Sequence, residues 1–197
     1  MLRCSGIDAE SLEGGNFAWR DADLPLVPAS VIPGSANGST LWVTRHRSKV
    51  DRVACAWLIR RFIDRHARFL FVSAGQVKAV AERYGATPFD CDDVLFSHRG
   101  DKCTFDTMVE EFSLAIPALQ QLAVIVRGAD TDHHDLAPQC AGLLAASLGL
   151  SRLYRDDVKQ IEAGMTLYDA LYLWARDAGG ERHAWNHPAH RSGEHGA

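Results

Sequence analysis

VDRVACAWLIRRFI, residues 50–63, sets apolar side chains at Val50, Val53, Ala54, Trp57, Leu58 and Phe62. Recurrence at three- and four-residue intervals predicts an amphipathic helix, with Arg52, Arg60 and Arg61 elsewhere on the cylinder. Ser48, two residues upstream, is a candidate N-cap. Before this helix, LWVTR (41–45) is a β-rich run; after it, ARFLFVSA (67–74) is a strand by its aromatic and β-branched content. A short helix over Gln76–Tyr84 stops at Gly85. PFDCDDVLFSHRGDKCTFD (88–106) reads as extended chain and turns, with VLFSH (94–98) as a strand. Thr104 is the expected cap of a helix to about Phe112, and Ile116–Arg127 is an apolar helix ending near Gly128. Pro138 can start the next helix, to Leu148 or Gly149. Asp156–Ala178 is the last, with Ile161, Met165, Tyr168, Leu171, Tyr172 and Ala175 on one stripe. The result is a predominantly α, helix-rich α+β fold of five or six helices with two or three short strands.

Outward from this body, which spans residues 41–178, residues 1–40 are rich in Gly, Ser, Pro and Ala and weak in periodicity. They read as a loosely ordered leader with a docking segment around Phe17–Trp19. Residues 179–197 read as a flexible tail holding His183, His187, His190 and His195. No internal repeat is present. A chain of 197 residues, 47% hydrophobic and 23% charged, is suited to one packed domain. Its net charge of −4 argues against nucleic acid as a partner. The apolar runs fall short of the ~20 residues that span a bilayer, so no membrane partner is expected. The first fifteen residues have no apolar stretch of the signal-peptide type. Five cysteines, Cys4, Cys55, Cys91, Cys103 and Cys140, are odd in number with no C-x-x-C pattern. Reduced thiols in a cytoplasm fit that spacing better than a disulfide framework or structural zinc. A homo-oligomer is compatible with all of this.

Three polar clusters interrupt the apolar elements. Lys49-Val50-Asp51-Arg52 lies at the start of the first long helix, where Asp51 is favoured by the macrodipole and where free N–H groups and Arg52 would receive an anion. The second runs from His98 through Arg99, Lys102, Cys103 and Asp106 to Glu110. Asp106 and Glu110, four residues apart on a helix, share a face; they repel unless a cation lies between them. A solvated face balanced by Arg99 and Lys102 is the plainer account. The third, Arg127-Gly128-Ala129-Asp130-Thr131-Asp132-His133-His134-Asp135, is denser in acids and imidazoles than helix capping requires. Cys55 reads as core; Cys103, beside Lys102 and a helix start, is in a setting that lowers a thiol pKa, with a structural role as the plainer account. The common catalytic motifs are absent.

At these motifs the chain resembles a known family. WVTRHRSKVDRVACAWLIRRFID, FSHRGDKCTFDTMVEEF, VRGADTDHHD, PQCAGLLAASLGLSRLYRDD and YDALYLWARD are similar to the C-terminal domain of ChrB-type chromate resistance proteins, from about Trp42 to Asp177. The resemblance implies a link to chromate resistance, and its motif positions include Asp51, Arg52, His98, Arg99, Cys103, Asp106, Glu110, Arg127 and Asp130. The His133–His134 pair is less characteristic. Residues 1–40 do not look like the separate N-terminal region of full-length relatives, so a stand-alone form of the domain is expected.

Two functions follow as expectations. One is a metal-dependent enzyme on a small polar or anionic substrate. A divalent Mn, Fe or Zn would be held by His98, Glu110, Asp130 and Asp51; Asp106 or Asp132 would act as base, and Arg52, Arg99 and Arg127 would bind the anionic group. The other is a non-catalytic sensor that receives an oxyanion through Arg52, Arg60, Arg99, Lys102 and Arg127. A DNA-binding regulator is the weakest option, and thiol chemistry at Cys103 lacks a second thiol at useful spacing.

Overall fold

The computed structural model describes residues 10–36 and 38–181. Residues 1–9 and the histidines at 183, 187, 190 and 195 lie outside the described residues. Strands β1 (Ser35–Ala36), β2 (Ser39–Arg45), β3 (Arg68–Val72) and β4 (Thr87–Pro88) form one small sheet with β2 as its spine. β3 runs parallel to β2, from Leu41 beside Arg68 to Arg45 beside Val72. β1 pairs antiparallel with Ser39 and Thr40, and β4 pairs parallel with Trp42 and Val43. Parallel neighbours need crossovers. Helix α2 (Val50–Leu58) supplies the one from β2 to β3, and α3 (Val77–Tyr84) leads from β3 to β4. The strand order therefore reverses at β2, whose carboxyl end lies between those of β3 and β4.

The remaining helices are α1 (Gly15–Asp21), α4 (Thr104–Glu111), α5 (Pro117–Asp130), α6 (Cys140–Leu153) and α7 (Asp157–Leu173), seven among the described residues. Side chains alternate across β2. Trp42 enters the main core with the helical body, while Val43 joins Val77 and Ala86 beneath α3. α2 is the pillar of that body, with every residue but Arg52 buried. Trp57 packs against Phe62, Phe105, Tyr168 and Tyr172. Gly164 lets α7 approach closely, since a Cβ there would lie 2.5 Å from Val53 Cγ1. The Tyr168 hydroxyl donates to the Val50 carbonyl at 2.7 Å.

Several elements differ from expectation for identifiable reasons. The helix read over 50–63 is α-helical only to Leu58; Ile59–Ile63 widens into a π turn, from which Arg60 reaches Glu162 and Arg61 reaches Asp169. VLFSH is not a strand. Phe96 is drawn into the core against Trp42 and Phe112, and Ser97 Oγ donates to the Val94 carbonyl, so the segment bends with one bridge, Phe89 to Phe96. Cys103, not Thr104, is the N-cap of α4, in a capping box with Asp106. α5 does not stop at Gly128 but runs to Asp130. Glycine is needed there for close packing: a Cβ would meet Cys140 Sγ at 2.4 Å and the His133 carbonyl at 2.7 Å. In the leader, Phe17 on α1 is 69% exposed, and it is Val27 and Val31 that pack on the core. No helix among the described residues is long and apolar enough to cross a membrane.

Candidate metal centre

The loops after β2, β3 and β4 meet at one end of the sheet, and there they line an open cleft of about 530 Å³ with Arg45, His46, Arg47, Lys49, Arg52, Ala74, Asp90, His98 and Asp130. The carboxyl ends of parallel strands, beside the point where strand order reverses, are where open α/β sheets hold ligands, because the crossovers diverge and leave a crevice.

Three chain segments bring Asp51, His98 and Asp130 together at the floor of this cleft. Asp51, in the first turn of α2, is buried and accepts from the Thr104 and Phe105 N–H groups at 2.8 and 2.9 Å. Those are orphan donors of the first turn of α4, so one carboxylate joins the amino ends of two helices. His98 stands on the loop before α4, which closes through paired hydrogen bonds between Arg99 and Lys102 and is tied by Thr107 Oγ1 to the Ser97 carbonyl. Its Nε2 lies 3.3 Å from Asp51, 3.6 Å from Asp130 and 3.7 Å from Asp90. Asp130 ends α5, where the helix dipole disfavours an anion. One ligand atom from each of Asp51, His98 and Asp130 falls within 4.8 Å of the others.

The electrostatics of the group are lopsided. Asp90 is held by Arg52 at 2.7 Å and approached by Arg45 at 3.8 Å, which leaves Asp51 and Asp130 to share His98. Burial, then the charges of Asp51 and Asp90, push Asp130 up to about 6. Burial also raises Asp90, with Asp51 adding to it, against Arg52. For Asp51 burial works against ionisation, but hydrogen bonds from His98 and the α4 backbone outweigh it and hold the carboxyl below its ordinary range. The hydrogen bond to Asp51 raises His98. Carboxylates crowded so that one resists ionisation are where a cation gains most.

Of the residues expected to bind metal, the structure brings Asp51, His98 and Asp130 together and leaves Glu110 out. Glu110 is turned to Lys102 on the outer side of α4. Sharing a helical face with Asp106 does not make a common centre, because Asp106 bends back into the capping box and accepts from Arg127 at 3.0 Å. Asp106 thus sits behind the cluster, and Asp132, 93% exposed with φ +62°, faces solvent beside His134. The anion-binding candidates are each engaged: Arg52 with Asp90, Arg99 with Glu111, Arg127 with Asp106. The Cys103 thiol is raised, not lowered, because it is buried and faces Asp51 and Asp106. Asp90 is the residue that sequence reasoning missed. The acid run Asp90, Asp92, Asp93 was its one signal, and only the pairing of β4 with β2 delivers it to the cleft.

The sequence profile of the ChrB C-terminal domain matches residues 42–175. The chain belongs to the ChrB-type chromate resistance protein family. The ChrB protein of Cupriavidus metallidurans is 38% identical over 133 residues, 66% of this chain and 39% of the relative. The chain therefore spans well under half the length of that ChrB protein, and no solved structure matches it. The matched region holds Asp51, Asp90, His98 and Asp130, so the cleft belongs to the part shared with ChrB.

Proposed function

We propose that this ChrB-type domain is a divalent-metal-dependent catalyst acting on a small polar or anionic substrate, in the service of chromate resistance. The reading is carried by one observation, the convergence of Asp51, His98 and Asp130 within 4.8 Å at the carboxyl ends of the strands. One imidazole and two carboxylates make a mixed N/O set suited to Mn, Fe or Zn, and three protein ligands leave positions open to water or substrate. Asp51 is oriented by the α4 N–H groups, the kind of outer support that fixes metal ligands. A bound ion would supply Lewis acidity; the chain's own residues hold it, and Asp90 with Arg52 and Arg45 forms the polar rim around it. Metal analysis before and after reconstitution with Mn(II), Fe(II) and Zn(II) tests the proposal. Stoichiometric uptake, lost in His98→Ala and Asp130→Asn, is expected. Trace metal with no uptake by the parent chain would end it.

The alternative, a non-catalytic oxyanion sensor, loses support from the pairing of its five cations. Arg52, Arg60, Arg99, Lys102 and Arg127 each have a carboxylate partner. Calorimetry with chromate and sulfate on the metal-free chain and on its Arg52→Gln and Arg99→Gln variants separates the two readings, since a sensor built on those cations loses its heat in the variants.

A further inference from the structure

Several cations have no ion-pair partner among the described residues, and four of them share one cavity. Arg47, Lys49, Arg152 and Arg155 line a second cavity of about 550 Å³, together with Tyr154 and Gln160. No acidic side chain lines it, in a protein whose net charge is −4. The helix dipole accounts for Arg152, in the last turn of α6, but not for the other three. Four like charges around one concavity repel, and the wall that carries Arg47 and Lys49 is held from behind. Asp157, at the start of α7, accepts from the backbone N–H groups of Arg47 and Ser48 at 2.9 and 2.6 Å. It fixes Arg47 at φ +63°, a left-handed conformation that costs a non-glycine residue energy. Gln160, 3% exposed, donates to the Ser48 carbonyl at 2.7 Å. Asp156 is engaged as the N-cap of α7, and neither acid of that turn makes an ion pair with the lining cations.

We infer that this basic cavity is a binding site for a phosphate dianion, free or as the phosphate end of a small molecule. Guanidinium groups match phosphate oxygens in pairs, and convergent, unpaired arginines are what such a group requires. The volume is that of a small-molecule pocket and exceeds one bare anion. Arg47 and Lys49 line both this cavity and the Asp51–His98–Asp130 cleft, so a ligand gripped here extends toward the metal centre. The phosphate site itself does not depend on the metal reading; only that extension does.

The test is calorimetry on the metal-free chain with inorganic phosphate and with phenyl phosphate at low ionic strength. At least one should bind, and the double variant Arg152→Gln, Arg155→Gln should weaken it by about tenfold or more. His98→Ala should bind within about twofold of the parent, which separates this cavity from the metal cleft. Binding of inorganic phosphate alone assigns the free anion, and binding of phenyl phosphate assigns an ester. No heat with either ligand at about 10 mM, undiminished affinity in the double variant, or loss in His98→Ala instead, would each overturn the assignment. Both arginines are exposed, so the double variant is expected to fold, and its far-ultraviolet dichroism and unfolding midpoint verify this.

Discussion

Replacing Asp130 by Asn should make the metal-free protein more stable, and that sign is the sharpest consequence of the cluster. Asp130 is held at about 6 by burial and by Asp51 and Asp90, against 3.8 for an unperturbed carboxyl. At 1.36 kcal/mol per pH unit the ionised group opposes folding at neutral pH by about 3 kcal/mol, and by about 2 once partial exposure to solvent is allowed for. The linkage has a definite direction. Between pH 3.8 and about 6 the folded chain keeps a proton that the unfolded chain has released, so this contribution lowers stability as pH rises. Asn carries no charge to suppress. With a chelator present, Asp130→Asn should therefore gain about 2 kcal/mol at pH 7.5 and nothing at pH 4, a rise of some 4–8 °C in midpoint for a chain of this size. Added Mn(II) should reverse the order, stabilising the parent and leaving the variant unmoved. Urea unfolding at the two pH values, with and without metal, measures all of this. An Asn variant that is less stable than the parent at pH 7.5 without metal would refute the reasoning.

The opposite sign is expected next door. Asp51→Asn offers one acceptor to two N–H groups of α4 and should cost about 2–4 kcal/mol in urea unfolding. Gly128→Ala puts a methyl 2.4 Å from Cys140 Sγ and should destabilise by about 1–3 kcal/mol, shifting the end of α5 and weakening metal uptake. Metal affinity should fall as pH drops through about 6, because Asp130 takes a proton there and His98, raised by its bond to Asp51, stays protonated higher than usual. Affinity that is flat from pH 7.5 to 5 by competition titration would contradict this.

Local pattern was enough for the helix-rich class, the strands at 41–45 and 67–74, and the helices over α2, α3, α5 and α7. Those elements announce themselves through apolar period and terminal signals such as Gly85, which depend on neighbours a few residues away. It also pointed to Asp51, His98 and Asp130 as chemically unusual. What it could not show is which of its many acids meet. Asp106 and Glu110 share a helical face by local geometry, yet capping draws the first to Cys103 and an ion pair turns the second to Lys102. Asp90 had only the acid run around it as a signal, Lys49 only its place at a helix start, and Arg47 none. Their positions follow from parallel pairing of β2 with β3 and β4, contacts that span dozens of residues. Only the tertiary structure could decide them, because a site at strand ends is assembled by topology and not by spacing along the chain.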